Sequence, residues 1–277
     1  FHPDYDRRLW HLTRSADTRL RAARGLVSHL TYRRWGVAPR PENNIQMGHC
    51  SIFYKINSNK NRDSGMHTNP IYRQTDAARS LKFAIDTGFG QLMVSADPVP
   101  LVAHIPFLVC EQTHEIELRL MRSNPIARIL KKHQKPAKLS VVGPLGYISP
   151  DWYGVIDQVP TWNYVAAHIS GTLRIGERED LRALLDRLSA HFEDQLAPKP
   201  AWRTSKMTPD VLDKMLRQII PCKLKIEDIQ STWKLNQNKT DVVRLAAADA
   251  VAQYGVGSET RALAALMRVA GGTAPGQ

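Results

Sequence analysis

The chain is predicted to adopt an α+β fold, an antiparallel barrel with flanking helices. Two observations predict it. Strand-like apolar segments follow one another between Phe89 and Asn236, the first two joined by a turn at Asp97-Pro98. Segments with helical spacing lie at the ends of this run and between its members, and several open on recognisable caps. In order, Thr75 or Asp76 caps a helix through Ile85, with Leu81, Ala84 and Ile85 inward and Gly88 as its stop. Phe89–Ser95, Val99–Val109 and Glu115–Leu120 then read as strands. Asn124 is an N-cap followed by proline at the first helical position, so a helix is expected to about His133. Lys138–Val142 is a strand followed by an aromatic loop, and Tyr164–Ile175 is a long strand in which Gly171 marks a bulge or bend. Glu177–Phe192 carries Leu181, Leu184, Leu185 and Leu188 on one helical face. Thr208-Pro209-Asp210 opens another helix, and Lys223–Ile229 and Thr232–Asn236 complete the strands. Two alanine-rich helices, Thr240–Tyr254 and Ser258–Val269, follow, and the last residues are expected to fray.

With 277 residues, 43% of them apolar, the chain is long enough to bury a real core. No run of eighteen apolar residues occurs, so no membrane partner is expected, and no apolar signal core precedes a small-residue cleavage site. Cys50, Cys110 and Cys222 are few and odd in number, which points to reduced thiols in the cytoplasm rather than a disulfide framework. The net charge of +12 is uneven. Residues 1–65 hold 12 basic against 5 acidic residues, and residues 66–277 hold 26 against 21. The main body is thus only mildly basic, and its charge alone is a weak argument for nucleic-acid binding.

The stretch from Tyr147 to Tyr164 concentrates Trp152, Trp162, Tyr147, Tyr153 and Tyr164 with Ser149, Thr161, Asn163 and two prolines. Aromatic faces can stack on a planar ligand while hydroxyl and amide groups fix its polar edge. The same composition also suits an aromatic corner that closes a barrel, with tryptophans as core. No Walker loop, nucleophile elbow, GxGxxG or zinc motif is present. Cys110 and His114 bracket a hairpin turn, and His104 and His168 sit in apolar strand surroundings that suit buried neutral histidines better than acid/base or haem-ligating ones.

The wording of several segments is more specific. PLGYISPDWY at Pro144–Tyr153 and VPTWNY at Val159–Tyr164 resemble the signature of PaiB-type negative transcriptional regulators, the FMN-binding regulators of protease synthesis and sporulation. AHIPFLV at Ala103–Val109, RSNP at Arg122–Pro125 and WKLNQNK at Trp233–Lys239 match in the same order. The resemblance implies a split β-barrel of the FMN-binding type, a homodimer with its flavin at the subunit interface, and FMN as cofactor. It implies regulation of transcription, with DNA as a candidate partner, although no helix-turn-helix is evident. A flavin-dependent oxidoreductase and a haem-binding split barrel stay open beside that reading. It also places the start of the compact fold at Met66. Residues 1–65 are then a disordered extension or an incorrectly assigned translation start, with a basic nucleic-acid-binding arm as the rival. Residues 66–239 form the barrel with inserted helices, and 240–277 form C-terminal helices packing on the barrel or on the dimer partner.

For a flavin phosphate the candidates are Arg122, Ser123 and Asn124. For the ring they are Tyr147, Trp152, Trp162 and Tyr164, with Ser149, Thr161 and Asn163 among the polar groups beside them. Lys234 is a candidate anion contact. Strand alternation puts it on one sheet face with Asn236, while Leu235 and Gln237 share the other. The family commonly reads GHVARANP where this chain has Leu118 to Pro125, so its Gly-His pair is Leu118-Arg119 here. Arg119 then either replaces a lost histidine contact with a cation or marks a changed site.

Overall fold

The computed structural model describes residues 65–271, so the expectations for residues 1–64 and the final six lie outside the described residues. Alternating burial along the strands builds a six-stranded antiparallel barrel. Helix α1 (Ala77–Thr87) comes first, capped by Asp76, whose Oδ1 accepts from Arg79 N at 2.6 Å. It ends at Gly88, whose φ of 60° suits glycine. Strands β1 (Phe89–Val94), β2 (Leu101–Cys110) and β3 (Glu115–Met121) follow, then α2 (Pro125–Leu130). Next come β4 (Lys135–Ile148), β5 (Thr161–Ile175), α3 (Leu181–Glu193), α4 (Pro209–Leu216) and β6 (Ile219–Lys234). The order ends with α5 (Asp241–Tyr254), the two-residue β7 (Gly257–Ser258) and α6 (Thr260–Val269).

The strand order is β1-β2-β3-β6-β5-β4, and β4 returns to β1 through Ala137–Ser140, which closes the barrel. Beyond that closure β4 continues and pairs with β7 at Leu145 and Gly146. The interior holds Leu92, Phe107, Ile116, Leu118, Leu139, Ile169, Leu173 and Leu224, all fully buried. Each such side chain contributes about 1.5–3 kcal/mol relative to exposure. Helix α1 packs across β6: Ser80 Oγ donates to Ser231 Oγ at 2.7 Å, and Phe83 sets its ring edge against Trp233 at 5.8 Å. A second core joins Ile148, Tyr153, Val165, Trp233 and Leu235 to the apolar faces of α5 and α6.

Several boundaries differ from expectation. Strand β4 runs on to Ile148, so Tyr147 is a strand residue rather than part of a loop, and β5 begins at Thr161. The two short strands expected at 223–229 and 232–236 are one strand, because the buried Ser231 hydroxyl finds its partner on α1. The helix expected from Glu177 starts at Leu181 after a 3-10 turn, and the one expected to His133 ends at Leu130. The irregularity expected at Gly171 is present: the β5–β6 register shifts between Ser170 and Gly171.

Arg244 joins the two C-terminal helices. It is 3% exposed and donates from Nη1 to the Met267 and Arg268 carbonyls at the end of α6, and from Nη2 to Asp241 at 2.7 Å. The Asp241 side chain is largely exposed, so water screens that pair and the carbonyl contacts matter more. Arg244→Met is expected to lower stability by about 2–3 kcal/mol in urea unfolding, and Asp241→Asn by less than about 0.5 kcal/mol. Equal effects of the two would contradict this division.

Candidate functional site

The sequence-predicted residues fall into two groups. The first stands at the end of β3. Arg119 pairs in register with Pro221 of β6, and its Nε is buried with no hydrogen-bond partner. Arg122 follows the strand; its backbone N–H donates to Gln218 O at 2.8 Å and its Nε to Arg217 O at 2.6 Å. Ser123 is exposed beside it. Asn124 caps α2, its Oδ1 accepting from Ile126 N at 2.9 Å, so its side chain already has a structural task. Helix α2 has only six residues, so its dipole adds little to the charge of the two arginines. Among the described residues neither arginine is paired with a carboxylate.

The second group lies where β4 ends and β5 begins. Tyr147 and Trp162 are opposite each other in register, with ring centroids 6.1 Å apart and planes at 74°. Tyr147 meets Trp152 edge to face at 6.4 Å, and Trp152 stacks on Tyr254 at 5.5 Å and 11°. Trp162 remains 46% exposed and offers an aromatic face. Ser149 caps the 3-10 turn Pro150–Tyr153, accepting from Asp151 N at 3.4 Å, which fixes where Trp152 and Tyr153 stand. Thr161 Oγ1 accepts from Lys234 Nζ at 2.5 Å, and Tyr164 lies between Leu145 and Lys234 in register. Burial holds the Lys234 amine below the usual lysine range.

Asn163 is separate from both groups. It is fully buried, and its Nδ2 donates to Met267 Sδ of α6 at 3.5 Å. The expected face-sharing of Lys234 and Asn236 also fails, because the strand stops at Lys234 and Asn236 turns to φ 63°. Sequence reasoning missed Tyr254. It is an aromatic residue in the last turn of a helix that starts far along the chain, and no local pattern ties it to Trp152.

The two groups do not meet within a protomer. Ile219 at the start of β6 pairs with Met121, next to Arg122, and Lys234 at its other end pairs with Tyr164. The length of a sixteen-residue strand separates them.

The remaining titratable candidates are apart from these groups. His104, expected to be buried, is exposed on β2 opposite Gln91, and His168 is on β5 between Ser140 and Gln230, with β1 and β4 intervening. Burial first, and the Lys138 charge second, hold the His168 pKa below 6.5. A histidine with a lowered folded-state pKa favours the folded state while neutral. Its stabilising effect is therefore complete above about pH 6.5 and is lost as pH falls from there through the folded-state pKa. His168→Asn is expected to flatten the acid side of the stability profile below about pH 6.5, measured by thermal melts across pH. Cys222 is fully buried, and that burial pushes its thiol up to about 12. Among the described residues no three His, Cys, Asp or Glu side chains are grouped to hold a metal, and no helix is long and apolar enough to cross a membrane.

A closed antiparallel barrel whose long strands run on past the closure and carry an aromatic cluster there is a split β-barrel. The family described as "Putative FMN-binding domain" matches residues 66–228, more than half of the chain, and the chain belongs to that family, in which the PaiB-type proteins stand. The protease synthase and sporulation protein PAI 2 of Bacillus subtilis is 28% identical over 178 residues, which cover 64% of this chain and 84% of that protein. The uncharacterized protein YKL070W of Saccharomyces cerevisiae is 31% identical over 105 residues, 35% of this chain and 61% of the yeast protein's length. Among solved structures, the FAD and heme binding protein from Mycobacterium smegmatis has a TM-score of 0.44 at 20% identity, covering 59% of this chain and 73% of that one. The flavocytochrome Anf3 from Azotobacter vinelandii has a TM-score of 0.40 at 14% identity, covering 58% and 69%.

Proposed function

We propose that this chain binds FMN between two copies of itself and acts in the cytoplasm as a negative transcriptional regulator of PaiB type, sensing a ligand or redox state. The observation that carries the flavin assignment is the pair Arg119 and Arg122, with a buried guanidinium Nε lacking any partner and no carboxylate to neutralise either charge. A phosphate dianion suits such a pair, with Ser123 adding a hydroxyl. Arg119 stands where the family commonly has histidine and supplies a fixed positive charge at that place.

The homodimer is supported by the separation of the two groups. One protomer offers the arginines at one end of β6 and the aromatic faces at the other, and a second copy would bring an aromatic cluster to the arginines. Tyr147 and Trp162 would hold the ring, and Trp162 has an exposed face for it. When bound, the flavin supplies reversible electron and hydride acceptance, and the chain positions it and limits access of water. The exposed lysines Lys131, Lys132 and Lys138 are the candidates for contact with DNA phosphates.

Purified full chain is expected to take up FMN with a saturable change in flavin absorbance and fluorescence, and to run as a dimer. A chain that stays colourless and does not respond to FMN would sink the flavin reading. The regulatory reading predicts a salt-sensitive shift of a promoter fragment upstream of the genes whose transcription rises when the protein is deleted. A complete lack of such binding would leave indirect repression through a protein partner.

A further inference from the structure

We propose that the far end of β6 holds a second anion site, apart from the flavin phosphate, which takes the carboxylate or phosphate of a small organic ligand through Lys234 and Asn236, with Tyr153 holding the Asn236 amide in place. This goes beyond the flavin assignment and stands without it. Four stretches distant in sequence converge there: residues 67–73, the 3-10 turn Pro150–Tyr153, the start of β5, and residues 234–239. Lys234 Nζ bonds Thr161 Oγ1 and lies 5.9 Å from the centre of the Tyr72 ring. Lys239 Nζ lies 5.2 Å from the centre of the Tyr153 ring and bonds Gln158. His67 sets its ring edge against Tyr72 at 4.7 Å and is close enough to Lys234 to feel its charge. Among the described residues neither lysine has a carboxylate partner.

The phenols behind these lysines are buried, Tyr72 at 5% and Tyr153 at 4% exposure. Burial raises both phenol pKa values, Tyr72 to about 12, so both stay protonated, and the Tyr153 proton is the one given to Asn236. Tyr153 Oη donates to Asn236 Oδ1 at 3.4 Å. Asn236 is 2% exposed, is held at φ 63°, and its Nδ2 is buried without a hydrogen-bond partner. A half-buried amine without an acid and a buried amide donor without an acceptor are both costly in a folded protein. One oxyanion would answer both. A cation would be repelled by two lysines, and a neutral ligand would leave the Lys234 charge unbalanced.

The ligand is small because Thr161, Lys234 and His67 are themselves only partly exposed. Within one protomer the flavin phosphate assigned to Arg119 and Arg122 lies at the opposite end of β6, and competition with FMN decides whether the two anions are distinct in the dimer.

The test is calorimetric titration of the full chain, with and without saturating FMN, using benzoate in one series and inorganic phosphate in another. Saturable binding of at least one probe is expected, retained with FMN bound. Lys234→Met and Asn236→Asp should each weaken it by about tenfold or more, and Lys234→Arg should keep most of it. Circular dichroism checks folding. If Asn236→Asp does not fold, Tyr153→Phe, which removes one hydroxyl, is expected to weaken binding by about threefold to tenfold. Benzoate binding assigns a carboxylate, and phosphate binding alone assigns a phosphoryl group. The inference fails if neither probe binds, or if Lys234→Met and the folded partner variant bind as the wild type does. It also fails if FMN displaces the probe and Lys234→Met loses FMN, since Lys234 would then hold the flavin. A chain that binds benzoate but never FMN would overturn the flavin assignment and leave this one standing.

Discussion

Gly171→Ala is expected to remove about 4 kcal/mol or more of stability and, in a domain of ordinary stability, to leave little folded protein at 37 °C. At the register shift, Ser170 pairs with Asp228 and Gly171 with Ile226, so Glu227 is the extra residue of β6. The β6 backbone there closes over Gly171. A Cβ would stand 1.8 Å from the Lys225 carbonyl oxygen and 2.9 Å from its carbon. Both are main-chain atoms in one of the two longest ladders of the barrel, so no side-chain rotation relieves the overlap. Gly176→Ala is the matched control. Its nearest atoms would be 3.5–3.6 Å away, an ordinary contact, and its effect is expected to stay within about 1 kcal/mol. Chemical unfolding of the two variants reads the difference directly. A Gly171→Ala protein as stable as the control would mean that the bulge can slide along β6.

The second large effect is on FMN affinity. Substituting both Arg119 and Arg122 with methionine is expected to weaken FMN binding by about a hundredfold or more, since each charge-assisted bond to phosphate contributes about 1.5–3 kcal/mol. Riboflavin, which lacks the phosphate, should bind the wild type and the double variant alike. The diagnostic quantity is therefore the ratio of the two affinities, obtained by fluorescence titration. If the double variant loses riboflavin and FMN equally, the arginines support the fold or the ring, and the phosphate lies elsewhere. Methionine keeps the aliphatic length of arginine, so packing along β3 is least disturbed.

Much of the fold was legible because strand and helix periods are local. The cap at Asp76, the stop at Gly88 and the proline start of α2 all follow from one or two residues and their neighbours. The true lengths of β4, β5 and β6 were not legible, since they depend on partners. Ser231 sits in a polar stretch that reads as a break until Ser80 of α1 is set opposite it. Tyr147 reads as loop because Gly143 and Pro144 precede it, yet the ladder resumes at Leu145 after an irregularity and carries on to Ile148.

The candidate site divides in the same way. Its residue types were legible from the motifs, and its geometry was not. Arg122 and Tyr147 are 25 positions apart in sequence and belong to opposite ends of the barrel, a separation that only the β3–β6–β5 order reveals. Asn163 sits between Trp162 and Tyr164 in sequence but points to the other face of its strand, against Met267. The pairing of Arg244 with the end of α6 and the stacking of Tyr254 on Trp152 are both contacts between distant segments.

The short strand β7 has a consequence for how this protein behaves when it is damaged. Past the barrel closure, the outer rim of β4 offers main-chain donors and acceptors that β1 no longer reaches. Gly257 and Ser258 cover Leu145 and Gly146, and Tyr147 N donates to Val256 O at 2.9 Å. The covering segment is held only because α5 and α6 flank it. A proteolytic cut between α5 and the barrel would therefore bare a strand rim lined by aromatic residues, a template on which another chain can add. Removal of the C-terminal helices is therefore expected to show first as aggregation rather than as loss of the barrel.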